Sequence, residues 1–483
     1  MNAQMMAVPM SGFPTITDRR GSLTPGASSG AVAGVGKESR RGSDWALGFR
    51  GACKFIKRAR FRCAQFALAA RGAPAVLSGG KAERTTLGTV GAGRDSLRSV
   101  APVAALRPSF YRPELDFLRF FAFLAVFVHH AVPHEPAAFE VHGLSHSLAS
   151  WLVEVPKSGA YGVDLFFVLS AYLITELLQR EFRTTGQLDV RSFYIRRILR
   201  IWPLYFSFLS LCAVLSLCKI ARQQLGLTYV LAFVFLAGNW ACAFKGYPSS
   251  AAAPLWSVSI EEQFYLAWPA LMRLIKVKWL LPAALTMISV AFASRLVLLY
   301  AGASYLCVWC NTLARLDPIA CGIILAVWLR GRRPVLPASA RAALAALATS
   351  ICLGVARTAP LETSGRVGAP LRANLLIGYP AVAVASSLMV VLILACDLSK
   401  LPKWISSPAV YLGRISYGLY VFHVLSITMV NLVNGDRRGT LAIRCVVSLL
   451  ITVLLSVISY QLLEQPFLRL KLKYTHVLSR PGG

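Results

Sequence analysis

From Tyr111 onward the chain alternates long apolar stretches with short polar ones. Eleven apolar segments stand out, at roughly 117–134, 160–178, 201–218, 227–244, 256–272, 279–300, 313–329, 336–356, 374–396, 409–433 and 440–463. Most are close to the length a helix needs to cross a bilayer. Hydrocarbon supplies no partner for backbone N–H and C=O groups, so such segments must be helices rather than strands. The pattern predicts an all-α fold, a polytopic transmembrane helix bundle. No period of about 20 to 50 residues recurs, which leaves repeat and inverted-repeat architectures with little support. Residues 1–108 read differently. Their apolar pieces, 64–70 and 73–77, are short and are separated by Arg71, so they form neither a span nor a clean signal peptide. The expected division is a basic, disordered extension over 1–108, a membrane domain over 109–470 and a basic tail over 471–483.

Composition agrees with the membrane reading. The 483 residues are 56% hydrophobic and 15% charged, and the mean hydropathy is +0.57. A formal net charge of +30 would suit a nucleic-acid binder. Here, however, the basic residues sit in short clusters between apolar runs, as cytoplasmic loops do, so no nucleic-acid partner is expected. The first 110 residues hold 17 Lys+Arg against 5 Asp+Glu. Of the eleven cysteines, Cys307 and Cys310 make the only CxxC, and the apolar settings point to packing rather than to a disulfide framework or a metal site. The loop after the first span carries Glu135, Glu140 and Glu154, and the next carries Arg180, Arg183, Arg191, Arg196 and Arg197, which places the N-terminus inside. With all eleven segments crossing, the clusters at Arg273–Lys278, Arg330–Arg333 and Arg469–Lys473 would all fall outside. One incomplete crossing within 227–272 brings all three inside. The expectation is therefore about ten spans with both termini cytoplasmic, and the segment holding Glu261 and Glu262 as the incomplete one.

Ionisable groups inside spans are expensive and point to function. In ELDFLRFFAFLAVFVHHAV, Arg119 and His130 are eleven residues apart, within about 20° of one helix face and about 16 Å along the axis. Asp116 shares that stripe, and His129 points aside. In FYIRRILRIWPLYF, Arg197 and Arg200 share a face at i, i+3, a spacing that suits bidentate grip on phosphate, whereas Arg196 reads as a membrane-side anchor. In LWSVSIEEQFYLAWP, Trp256 opens a segment in which Glu261, Tyr265 and Trp268 follow at i, i+4, i+7, with Glu262 rotated away. Ser416, Tyr420 and His423 repeat that spacing in GRISYGLYVFH, as a second lining of the same cavity or as an interhelical seam. Arg315 and Asp317 in ARLDPIACG read most simply as a local ion pair. Asp164 is expected to cap the helix opened by GVDLFFVLS, and Ser170 to hydrogen-bond across the bundle.

In order, ELDFLRFFA…H, GVDLFFVLSAYLI, FYIRRILRIWPLY, LWSVSIEEQFY, RLDPIACG, ISYGLYVFH and LLEQPF resemble the acyltransferase 3 family of integral membrane acyltransferases, over about 111–470. The resemblance implies transfer of an acyl group, often acetyl, to hydroxyls of surface or secreted glycans, with acyl-CoA as donor substrate and no tightly bound cofactor or metal. It implies roles for Arg119, His130, Arg197, Arg200 and Glu261. Joined to the residue pattern, it gives His130 as the expected general base with Glu261 or Asp116 orienting its ring, Arg119, Arg197 and Arg200 as donor phosphate binders, and Trp256, Tyr265, Ser416, Tyr420 and His423 as acceptor-binding residues. A bacterial inner membrane location goes with it. Two departures stand out. Ser170-Ala171-Tyr172 replaces the usual Ser-Gly-Phe, and Glu464-Gln465-Pro466 lacks the basic residue that often precedes the proline. The competing expectation is a transporter or flippase of a lipid-linked sugar or small molecule, whose broken helices in corresponding halves are not evident here.

Overall fold

The structure, a computed structural model, describes residues 111–141, 143–359, 374–434 and 441–474. The expected extension 1–108 and residues 475–483 of the tail lie outside the described residues, as do residues 360–373. Every extended element among the described residues is helical, and none is a strand. The long helices are α1 (Pro113–Ala131), α2 (Gly162–Thr185) and α3 (Val190–Leu217). Two short helices follow, α4 (Leu227–Val234) and α5 (Gly238–Lys245). Then come α6 (Leu255–Leu274), α7 (Leu280–Tyr300), α8 (Leu316–Leu329), α9 (Ala338–Thr358), α10 (Leu375–Leu394), α11 (Lys403–Arg414), α12 (Ser416–Asn434), α13 (Leu441–Ser459) and α14 (Gln465–Lys471).

Seven of the described helices are long and apolar enough to cross a membrane on length and composition. Helices α1 and α6 are long enough too, but α1 carries Glu114, Asp116 and Arg119 and α6 carries Glu261, Glu262 and Gln263. A count of about ten would require α1, α6 and the 14-residue α8 to cross as well.

Of the two segments within 227–272, the one expected to be incomplete is the continuous one. Segment 256–272 forms one unbroken helix of 20 residues, whereas 227–244 breaks into two helices of 8 residues. Each is only about 12 Å long, well short of a bilayer's hydrocarbon. The break has a local cause. Leu236 adopts φ 57°, a left-handed conformation that ends a helix. At Gly238 the missing side chain is replaced by the ring of Phe233, which a Cβ would strike. Apolarity alone cannot report such a turn.

Three basic regions meet at one end of the bundle. Arg112 donates to the Gly331 carbonyl at 3.2 Å, Arg333 pairs with Glu114 at 2.6 Å, and Arg196 donates to the Tyr474 carbonyl at 2.7 Å. The start of α1, the loops after α2 and α8, and the chain beyond α14 therefore share a side. Helix α2 packs closely along α8, because Gly322 has no side chain at the contact. A Cβ there would collide with the Val168 carbonyl and with Ala171.

Candidate active site

Between α1, α2, α3, α6 and α12 lies an elongated cavity with about 130 Å³ of solvent-accessible space. Its lining on α2 runs from Leu177 to Val163, fourteen residues or about 21 Å. Arg112 and Lys471 stand with Arg119, Arg197 and Arg200 among its lining residues, five cations against the two carboxylates of Asp116 and Glu261.

The neighbouring arginines of α3 do different things. Arg196 is bound by Glu181 at 3.0 Å as well as by Tyr474. Arg197 has no ion pair among the described residues. Its guanidinium lies over the rings of Phe193, at 5.3 Å, and Tyr265, at 5.2 Å, which position it while leaving its N–H donors uncommitted to a carboxylate. Arg200 lines the same cavity, and Arg119 pairs with Asp116 at 3.1 Å.

Glu261 is held by two O–H donors. Ser170 Oγ donates to it at 3.0 Å and Tyr265 Oη at 2.7 Å, which ties α2 to α6. Ser170 thus makes the bond across the bundle that its position predicts. Glu262 turns to the other side and accepts from Trp202 Nε1 at 3.0 Å. Ser416 and Tyr420 line the cavity, and Tyr420 Oη meets Ser257 Oγ at 2.6 Å.

Three of the candidate residues lie outside this lining. Trp256 is buried against Trp309, with ring centroids 5.7 Å apart. His423 is buried one turn beyond Tyr420. His130 is exposed at the far end of α1, its ring 4.9 Å from that of His423. The cavity nevertheless ends close by. Gly162, beside the innermost lining residue Val163, packs on Ala122 and Val126, and Val126 is one turn below His130. His130 Nδ1 donates to the Val126 carbonyl at 2.9 Å. A carbonyl only accepts, so in the neutral ring Nε2 keeps the lone pair. Neither acid orients this ring as the sequence reading supposes. Glu261 is bonded to Ser170 and Tyr265, and Asp116 lies fourteen residues away, about 21 Å along the same helix.

Outside the cavity the charges pair differently from the local reading. Arg315 bonds Asp164 of α2 at 3.0 Å rather than Asp317, both wholly buried. Asp317 takes Arg295 instead, with one bond of 3.1 Å. Arg315 also lies 4.3 Å from the Trp309 ring centroid. Asp164 therefore serves an interhelical ion pair. Among the described residues no group of three or more His, Cys, Asp or Glu side chains is placed to hold a metal ion.

Arg112 and Lys471 were not legible as liners, because a basic residue at a helix mouth looks the same whether it faces headgroups or a cavity.

The family profile described as "Acyltransferase domain" matches residues 112–461, which include every element around the cavity except its outermost lining, Tyr111 and Lys471. The chain belongs to the acyltransferase 3 family. Among relatives, the O-acetyltransferase OatA of Staphylococcus aureus (strain NCTC 8325 / PS 47) is 26% identical over 389 residues, covering 77% of this chain and 60% of that protein. The peptidoglycan O-acetyltransferase OatA of Listeria monocytogenes serovar 1/2a is 30% identical over 377 residues, covering 74% of this chain and 56% of that protein. The chain thus spans a little over half the length of these relatives. No solved structure matches it. Within the acyltransferase 3 pattern, the departure at Ala171 has a visible accommodation: its methyl sits opposite Gly322 of α8. Multi-pass insertion in a membrane follows from the family and from the seven apolar helices.

Proposed function

We propose that this protein is a membrane-embedded O-acyltransferase that moves an acyl group, acetyl in the first instance, from acyl-CoA to a sugar hydroxyl of a surface or secreted glycan. Peptidoglycan is the acceptor that the Listeria relative's name suggests. The observation carrying the reading is the cation-lined cavity that contains the unpaired Arg197 and runs toward His130. Guanidinium groups suit the phosphates of CoA, with Arg119, Arg197 and Arg200 as binding residues. A cavity about 21 Å long suits a flexible thioester arm. At its end His130 Nε2 acts as general base on the acceptor hydroxyl, which enters from the opposite face of the membrane. The ester C–O bond forms as the thioester C–S bond breaks, and Glu261, fixed by Ser170 and Tyr265, shapes the wall along which the donor lies. An acyl-histidine intermediate at His130 uses the same residues.

The basic loops that share one side support a cytoplasmic cavity mouth and cytoplasmic termini in a bacterial inner membrane. Residues 1–108 are then a basic extension outside the catalytic domain.

Purified protein given acetyl-CoA and a glycan acceptor should show transfer that His130→Ala lowers by about a hundredfold or more. Full activity in a folded His130→Ala protein would end the proposal. Mass spectrometry of the cell-surface glycan separates this reading from a transporter or flippase, since only a transferase leaves an acetyl increment on its product.

A further inference from the structure

The polar stripe of α12 continues past the cavity. Ser416 and Tyr420 line it, and His423, farther out, is 0% exposed. The His423 ring lies 5.4 Å from Tyr420, 4.9 Å from His130 and 6.3 Å from Phe123. Its Nδ1 donates to the Tyr420 carbonyl at 2.5 Å, so the neutral ring keeps its lone pair at Nε2. That Nε2 is buried and has no hydrogen-bond partner among the described residues. No ion pair involves His423 among the described residues. Its polar neighbours are His130 on α1, which in turn contacts His129, and Tyr420 on its own helix. Buried polar atoms are ordinarily satisfied, and an exception between two candidate site residues points to a working role.

The position explains what that role is. The acceptor meets an exposed imidazole at one end of α1, the donor sulfur approaches through the cavity, and the His423 ring stands between His130 and the cavity-lining Tyr420. Resting on the acyltransfer reading, we propose that His423 is a proton-relay residue. The acceptor O–H and thioester C–S bonds break, and the ester C–O and thiol S–H bonds form. The proton passes from the acceptor oxygen to His130 Nε2, then to His423 Nε2, and then to the departing thiolate sulfur. Nothing is oxidised or reduced, and no proton is left over.

The test is His423→Asn. Its amide N–H can still donate to the Tyr420 carbonyl, but it has no group to accept a proton in place of Nε2. Transfer from acetyl-CoA should slow about tenfold or more in kcat, with the KM for acetyl-CoA unchanged. The dependence of rate on deuterium fraction should change from a curve, reporting two protons in flight, to a straight line reporting one. A rate within about twofold of wild type overturns the relay. So does a slowed enzyme whose isotope dependence stays curved, because that marks a structural effect. If His423→Asn does not fold in detergent, His423→Gln carries the same readouts. A wild-type protein that transfers no acetyl group sinks the functional reading itself, whereas an active wild type with an unaltered His423→Asn sinks only the relay.

Discussion

Arg196 and Arg197 adjoin in sequence, yet one is locked by Glu181 and the Tyr474 carbonyl while the other stacks on aromatic rings beside an open cavity. Their substitutions should therefore separate. Arg197→Ala removes charge-assisted bonds to a phosphate worth about 1.5–3 kcal/mol, so titration should show acetyl-CoA binding weakened roughly tenfold or more while the melting temperature stays. Arg196→Ala should do the reverse, lowering thermal stability with little change in donor affinity. Helix periodicity does not reveal this division, since Arg196 and Arg200 at i, i+4 share a face as closely as Arg197 and Arg200 at i, i+3. Periodicity could not reveal the partner of a charge on another helix. Arg315 and Asp317 are near neighbours in sequence, and it is the packing of α2 and α7 around the start of α8 that gives each a different partner. Asp164→Asn strands the Arg315 guanidinium in a buried setting and should cost about 3–5 kcal/mol, visible as a large fall in melting temperature. Replacing both residues by apolar ones of similar size should recover much of it.

At the scale of elements, long apolar runs mark most helices well because lipid requires every one to satisfy its own backbone. The segment 227–244 shows where that signal ends: its composition is largely apolar apart from Thr228 and Asn239, and its break depends on a backbone turn at Leu236 and on a ring laid over Gly238. The α2–α8 contact depends on a similar omission. Gly322→Val would thrust two methyl groups into the α2 backbone and should destabilise the bundle by about 1–3 kcal/mol, measured by thermal unfolding in detergent. Ala171→Gly beside Gly322→Ala should soften the loss, since it returns room on the facing helix.

For the whole molecule, the shared side of the loops after α2 and α8 requires an even number of crossings between them. On the proposed orientation, α3, α6, α7 and α8 would supply that number if α4 and α5 do not cross. A phosphatase fused after Tyr474 should accordingly be silent in cells and a fluorescent protein at the same place bright; the opposite result would invert the proposed orientation. The cavity itself was only partly legible. Its arginines and Glu261 announce themselves as charges within apolar segments, whereas Lys471 reaches it from a tail that reads as an anchor. Arg119 and His130 belong to one rigid helix, so the interval between them, about 16 Å, is not adjustable. Under the proposed function that interval is a built-in yardstick: a donor gripped at Arg119 would be selected by the length of its tether before its acyl group is ever inspected, and thioesters on short stems should be refused however small their cargo.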